Sequence, residues 1–239
     1  MQLSNKHVLV IGGGSGIGRA AALAAVKAGA RVTLVGRRRD ALDATVALLA
    51  GEAAVRVADV TLESEVAALY AEIQAFDHLV CTASQGAAGR IADVPPAQIE
   101  RAIAAKLWAP YYLLKHGAAH VARDGSFTFF SGIRGARPTP GSAITSLVNG
   151  GIEAFARAMA LELAPVRVNV VSPGIVDSGA FWDRLGAPRR DKMFADYAAK
   201  APVGRVGTPE DVAAATLFAL TNPFVTGTVL AVDGGGLLV

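Results

Sequence analysis

The chain has 239 residues, with 23 Lys and Arg against 20 Asp and Glu, for a formal net charge of +3. That length suits one α/β domain with a substantial core, and the scattered basic residues, not interleaved with aromatics, argue against a nucleic-acid surface. No apolar run approaches the roughly 18 to 20 residues of a membrane span, and a single cysteine, Cys81, excludes an internal disulfide.

Taken in chain order, Lys6 and His7 precede a short apolar run that ends in glycines. The run is too short and wrongly flanked for a signal peptide, so a cytoplasmic location is expected. Short β-branched runs then alternate with Ala-rich helical patterns to the end of the chain. Strands are expected at 7–11, 31–35, 54–58, 78–82, 126–130, 166–171 and 228–232. Amphipathic stretches lie at 16–29, 62–75, 97–120, 143–164 and 209–221. This alternation predicts a seven-stranded parallel sheet with helices on both faces, in a single doubly wound domain over 1–239. No linker, repeat or low-complexity segment interrupts it. Residues 173–207 are irregular and rich in Gly and Pro, with short helical patterns inside; an insertion there, about 175–207, reads as a substrate lid.

The first strand runs straight into 12-GGGSGIGRA-20, which opens a helix. Gly12, Gly16 and Gly18 give the spacing GxxxGxG, where glycines permit a tight turn, close approach of the backbone to a pyrophosphate and close helix–strand packing. The second strand selects the cofactor. An NAD site usually ends this strand with an acid for the ribose 2′-OH, whereas here Gly36 is followed by Arg37 and Arg38. A guanidinium grips a 2′-phosphate through paired hydrogen bonds, so NADP(H) is the expected cofactor. The other basic group, Arg189-Arg190-Lys192, falls in the insertion.

With these residues the chain resembles the short-chain dehydrogenase/reductase family over nearly its full length. The matching features are VIGGGSGIGRA (10–20), ADV (58–60), RVNVVSPG (167–174), PVGRVGTPEDVA (202–213) and VTGTVLAVDGGG (225–236). The resemblance implies a Rossmann-type NADP(H) site. Gly12, Gly14, Ser15, Gly16, Ile17 and Gly18 would surround the pyrophosphate, with Arg37 and Arg38 at the 2′-phosphate. Asp59 and Val60 would border the adenine, and Thr82 and Ala83 would lie beside the cofactor. Pro173 and Gly174 would line the nicotinamide, with Val176 and Ser178 at its carboxamide. A homotetramer or dimer built on the long helices and the C-terminal strand is also implied.

The family's reaction uses a tyrosine, a lysine four residues later, a serine and an asparagine. By resemblance the tyrosine position falls on Thr145, the lysine position on Asn149, and the serine position on Gly132, with Ser131 just before it. The asparagine position falls on Lys106, and the NNAG segment reads 81-CTAS-84. A threonine hydroxyl is a far poorer acid than a phenol, and Asn149 carries no charge, so the usual mechanism is excluded at these positions. Thr145 and Asn149 can hold the ribose and shape the pocket.

Lys106 lies in an otherwise apolar helical run and has two readings. Desolvated beside the nicotinamide, its ammonium would release a proton more readily and could protonate a developing alkoxide. Alternatively it is a structural cation bonded to carbonyls of a neighbouring loop. Ser131 can orient a substrate oxygen or simply end its strand. Arg134 could receive a carboxylate or face solvent. Cys81 reads as a small buried residue, Phe181 and Trp182 as apolar substrate contacts, and His116 and His120 as surface residues; no metal site is expected. The leading expectation is an NADP(H)-dependent oxidoreductase for a small carbonyl or alcohol with an atypical proton donor, Lys106 assisted by Ser131. The alternative is a non-catalytic NADP(H) binder, a sensor or partner subunit. A lyase or isomerase on the same scaffold is a third reading.

Overall fold

The computed structural model describes residues 2–183 and 185–239, with Ala180 and Phe181 given by backbone alone. Its strands are β1 (His7–Ile11), β2 (Arg31–Gly36), β3 (Ala53–Val57), β4 (Phe76–Cys81), β5 (Val121–Phe130), β6 (Arg167–Pro173) and β7 (Val229–Val232). They form one sheet in the order β3-β2-β1-β4-β5-β6-β7, and every neighbouring pair is parallel. The order reverses between β1 and β4, which opens a crevice at the C-terminal strand ends.

Alternation of side chains along the strands builds a core on each face. Leu9, Ile11, Leu79, Phe127 and Phe129 pack against α3 (Glu63–Glu72), α5 (Ala109–Gly117) and α6 (Ala143–Glu162) through Leu69, Leu113 and Ile152. On the other face Val8, Val10, Leu34 and Val80 meet Ala21 and Ala25 of α1 (Gly16–Lys27) and Val212 and Leu220 of α9 (Pro209–Thr221). The short helix α2 (Arg39–Val46) follows the basic stretch at the end of β2.

Two departures from the sequence expectation matter. The stretch 97–120 is not one helix: α4 (Pro96–Ile103) passes through a π-helical turn, Ala104–Trp108, before α5 begins. The N–H of Ala109 reaches back five residues to the carbonyl of Ala104. Pro110 explains the widening, because its ring lacks an N–H and crowds the carbonyl four residues earlier, at Lys106. Strand β5 begins five residues before expected, where Val121 pairs with Phe76 ahead of a register shift. The 175–207 segment holds the short helices α7 (Ala180–Asp183) and α8 (Ala187–Ala198), where helical patterns are expected, and is pinned at its base by a parallel bridge between Val176 and Gly207. No helix among the described residues is long and apolar enough to cross a membrane.

Candidate active site

The glycine turn is built so that only glycine fits. Gly12 has φ +85° and Gly16 has φ +50°. A Cβ on Gly18 would collide with the carbonyl of Gly12 and come within 2.8 Å of Thr82 Oγ1. That hydroxyl donates to the carbonyl of Ile11 at 3.0 Å, so Thr82 at the end of β4 locks the start of the turn. Arg19 donates from Nη2 to the Gly14 carbonyl (2.8 Å) and from Nε to Thr45 Oγ1 (3.1 Å), tying the turn to α2. Ser15, the N-cap of α1, makes no side-chain cap bond, and no acid stands in the first helical turn. The N–H groups of Gly16, Ile17 and Gly18 therefore face an exposed end with the positive pole of the helix behind them, which suits a pyrophosphate.

At the end of β2 the side chains of Arg37 and Arg38 are 62% and 70% exposed. Each has only a loose acidic neighbour: Arg37 Nη1 lies 4.0 Å from Asp59, and Arg38 Nη1 lies 3.8 Å from Asp40. Asp59 is fixed by its own bonds. Its Oδ1 accepts from the N–H (3.0 Å) and hydroxyl (2.7 Å) of Thr61, while its N–H donates to Glu65 Oε2 at 2.7 Å. Val60 beside it is buried. Two loosely paired, largely exposed guanidiniums beside a fixed acid and an apolar residue fit an adenosine carrying a 2′-phosphate.

Of the four candidate reaction residues, Lys106, Ser131 and Asn149 meet at the end of β5 and Gly132, with Thr145 one turn before Asn149 on α6, and three of the four are engaged with main-chain carbonyls. Thr145 Oγ1 donates to Ala87 at 2.9 Å, and Asn149 Nδ2 donates to Gly132 at 3.3 Å. Lys106, 7% exposed, donates to the carbonyls of Phe130 (2.7 Å) and Ser131 (3.3 Å). The π-helical turn carries its side chain to the end of β5. Burial pushes the Lys106 amine down to about 8, against weaker raising influences from Cys81 and Glu153. Ser131 is the exception, since its buried hydroxyl has no partner. Gly132, Asn149 and Pro173 share one wall: a Cβ on Gly132 would lie 3.2 Å from Asn149 Nδ2 and 3.7 Å from the Pro173 carbonyl.

Sequence reasoning missed Glu153, one turn beyond Asn149 on α6. It packs against Gly135 and is the carboxylate whose field reaches Lys106. The spacing Thr145, Asn149, Glu153 was the available signal, three polar residues on one helical stripe. Cys81 is buried and its thiol is pushed up to about 11 by that burial, so it is inert at neutral pH. His120 is less superficial than expected, because its ring stacks on Tyr70 at 5.5 Å and donates to the Gln74 carbonyl. His116 pairs with Glu63 at 3.1 Å. Arg134 is half-buried and does not stand out into solvent.

The 175–207 segment rests on the same crevice. Gly16 and Ser178 are in such close approach that a Cβ on Gly16 would lie 3.1 Å from the Ser178 carbonyl. Gly174 donates to Val232 at 3.0 Å, with Asp233 and Tyr197 filling the space where a side chain would stand. Trp182 serves the segment's own structure: its indole N–H donates to the Val176 carbonyl and its ring meets Phe194 edge-on at 5.8 Å. The side chain of Phe181 lies outside the described residues. Tyr197 on α8 donates to the Asp233 carbonyl at 2.6 Å, tying the segment to the C-terminal turn.

The chain is similar to known proteins over nearly its full length. A family model described as enoyl-(acyl carrier protein) reductase matches residues 12–236. The short-chain dehydrogenase/reductase ATR9 of Stachybotrys chlorohalonatus is 32% identical over 99% of this chain and 98% of its own length. Among solved structures, a small-chain dehydrogenase in complex with NADPH superposes with a TM-score of 0.81 at 33% identity, covering 98% of this chain and 99% of that one. A short chain oxidoreductase from Pseudomonas aeruginosa, described as containing an atypical catalytic center, gives a TM-score of 0.89 at 27% identity, covering 98% and 97%. With its glycine turn, its sheet order and relatives matched end to end, the chain belongs to the short-chain dehydrogenase/reductase family.

Proposed function

We propose that this member is an NADP(H)-dependent oxidoreductase for a small carbonyl or alcohol, with an atypical proton donor. The observation that carries this reading is a buried ammonium, Lys106, bonded to the main-chain carbonyl of Ser131, whose own buried hydroxyl has no partner. When bound, the cofactor supplies hydride chemistry; the protein has to align the substrate oxygen and meet its growing negative charge. The N–H groups at the start of α1 bind the pyrophosphate, Arg37 and Arg38 the 2′-phosphate, and Asp59 and Val60 flank the adenine. Pro173, Gly174, Val176 and Ser178 shape the nicotinamide wall, with Thr82 and Ala83 opposite and Asn149 beside the ribose. Ser131 Oγ orients the substrate oxygen. Lys106 Nζ holds the proton, with a third N–H beyond the two given to carbonyls. Burial brings that proton close to neutral pH, where a general acid works best. The 175–207 segment acts as the lid that excludes water. An NADPH-bound relative and a relative with an atypical centre both support this reading.

The protein is further read as cytoplasmic and as a homo-oligomer, a tetramer or dimer. Exposed Trp108, Leu147 and Leu161 on the long helices, with Phe224 and Leu238 beside β7, support the second point.

A second reading, a cofactor binder without turnover, draws support from the carbonyl bonds that already occupy Thr145, Asn149 and Lys106. The deciding experiment monitors NADPH oxidation across a panel of aldehydes, ketones and imines, with Lys106→Met and Ser131→Ala beside the parent protein. Turnover that falls at least tenfold in both variants at unchanged NADPH affinity supports the enzyme reading. NADPH binding with no turnover across the panel supports the binder.

A further inference from the structure

The turn that follows β5 carries two arginines, Arg134 and Arg137, without an acid for either. Among the described residues no carboxylate lies within ion-pair distance of these guanidiniums. Arg134 is half-buried, and its one hydrogen bond is a long 3.4 Å contact from Nη1 to the carbonyl of Arg137. Arg137 reaches from Nη1 to the carbonyl of Gly236 at 2.8 Å, so the turn leans on the C-terminal segment. Tyr197 of α8 closes the third side, beside Arg134, with its hydroxyl against Gly174. Two acids stand in the neighbourhood without pairing with either arginine: Glu153 packs against Gly135, and the Asp233 carboxylate accepts from the N–H groups of Gly235 (3.0 Å) and Leu237 (2.8 Å).

Arginines taken partly out of water are ordinarily paired, because an unpaired buried charge is costly. Here desolvation and the neighbouring Arg137 both weigh against the charge on Arg134. Three segments therefore hold a planar cationic fork in the neighbourhood of Tyr197, whose hydroxyl stands against Gly174 on the wall assigned above to the nicotinamide. A fork of that shape matches a carboxylate, which can take two parallel N–H bonds from one guanidinium.

We propose that the substrate is a carboxylate-bearing carbonyl compound, an oxo acid or its hydroxy acid, whose carboxylate is held by Arg134 with Arg137 beside it. This rests on the oxidoreductase reading for the oxo group, whereas the carboxylate site is a matter of binding alone.

The test separates the two. Benzoate and glutarate, which cannot be reduced, are titrated calorimetrically into NADPH-loaded protein, with benzamide and glutaramide as neutral controls. The carboxylates should bind about tenfold or more tightly than the amides, and Arg134→Ala should remove that preference while Arg134→Lys restores part of it. Turnover is then compared for 4-oxopentanoate and 4-formylbenzoate against their methyl esters, in the parent protein and Arg134→Ala. Equal binding of acids and amides, or no binding of either acid, overturns the proposal, as does turnover of acids unaffected by Arg134→Ala. Binding that depends on Arg134 without any turnover would instead count against the oxidoreductase reading and leave the carboxylate site standing.

Discussion

The ammonium of Lys106 and the carbonyl of Phe130 are joined by a 2.7 Å hydrogen bond that fastens the π-helical turn to the end of strand β5. The bond places a cation in the interior, so its energetics depend on pH. With a folded pKa of about 8 against an ordinary 10.5, the folded state binds this proton less tightly than the unfolded chain. Between those values the unfolded state carries more protons, so stability rises as pH climbs through the window. The gain is up to about 3 kcal/mol, at about 1.4 kcal/mol per unit. Urea unfolding of the parent and Lys106→Met at about pH 7.5 and about pH 10 should show the rise only in the parent.

The same proton sets a rate profile. If Lys106 Nζ delivers it to the substrate oxygen, carbonyl reduction falls as pH passes about 8, while alcohol oxidation rises there. Lys106→Met should abolish that limb in both directions, measured as kcat/KM against pH.

Cofactor choice should follow the two arginines at the end of β2. Replacing Arg37 and Arg38 together by alanine should weaken NADPH binding about 10- to 100-fold, with NADH affinity little changed. Because both side chains are largely exposed, the parent's preference should also shrink as salt is raised. Fluorescence titration of both cofactors at two ionic strengths reads this directly.

Of the two histidines that burial holds below the ordinary range, His7 and His78, the second is shifted further. Its ring is buried in a bond to Ser126 (2.9 Å), and that burial pushes its pKa down to about 4. As pH falls from about 6.5 to about 4 the unfolded chain takes up the proton first, so stability is lost across that window, by about 3 kcal/mol at most. His78→Gln should flatten this acid slope in denaturant titrations between pH 7 and pH 4.

Gly18 tests the turn itself. Gly18→Ala forces a Cβ onto the Gly12 carbonyl and toward Thr82 Oγ1, which the packed strand ends cannot yield. The expected cost is about 1–3 kcal/mol of stability, together with loss of NADPH binding.

The elements that the sequence made legible are those whose cause is local. The apolar run 7–11 and the stretch 209–221, with a capping box at Thr208 and Asp211, come out with the expected bounds. Thr145 and Asn149 were legible as a pair on one helical face. Their partners were not, because Ala87 and Gly132 belong to other segments. The break at 104–108 had a local signal in Pro110, but whether a helix kinks or widens there depends on the strand end that its lysine meets. The early start of β5 arises from pairing with Phe76, far away in sequence, since ARDG has no strand pattern of its own. Glu153 and the surroundings of Arg134 depend on packing between α6, α8 and the C-terminal turn, which periodicity does not encode.

The bridge between Val176 and Gly207 makes everything between them an excursion that departs from and returns to one point. Its base is held by Gly207 donating to Ile175 and Asp177 donating to Gly207, both at 2.9 Å, so the ends of the excursion stay together whatever its length. The entropy of closing such a loop grows only logarithmically with the number of residues in it. Lengthening, shortening or exchanging the excursion for that of a relative therefore leaves the sheet in register. Residues 177–206 are thus one continuous stretch through which selectivity can be altered, provided that the seats of Ser178 on Gly16 and of Tyr197 on Asp233 are kept.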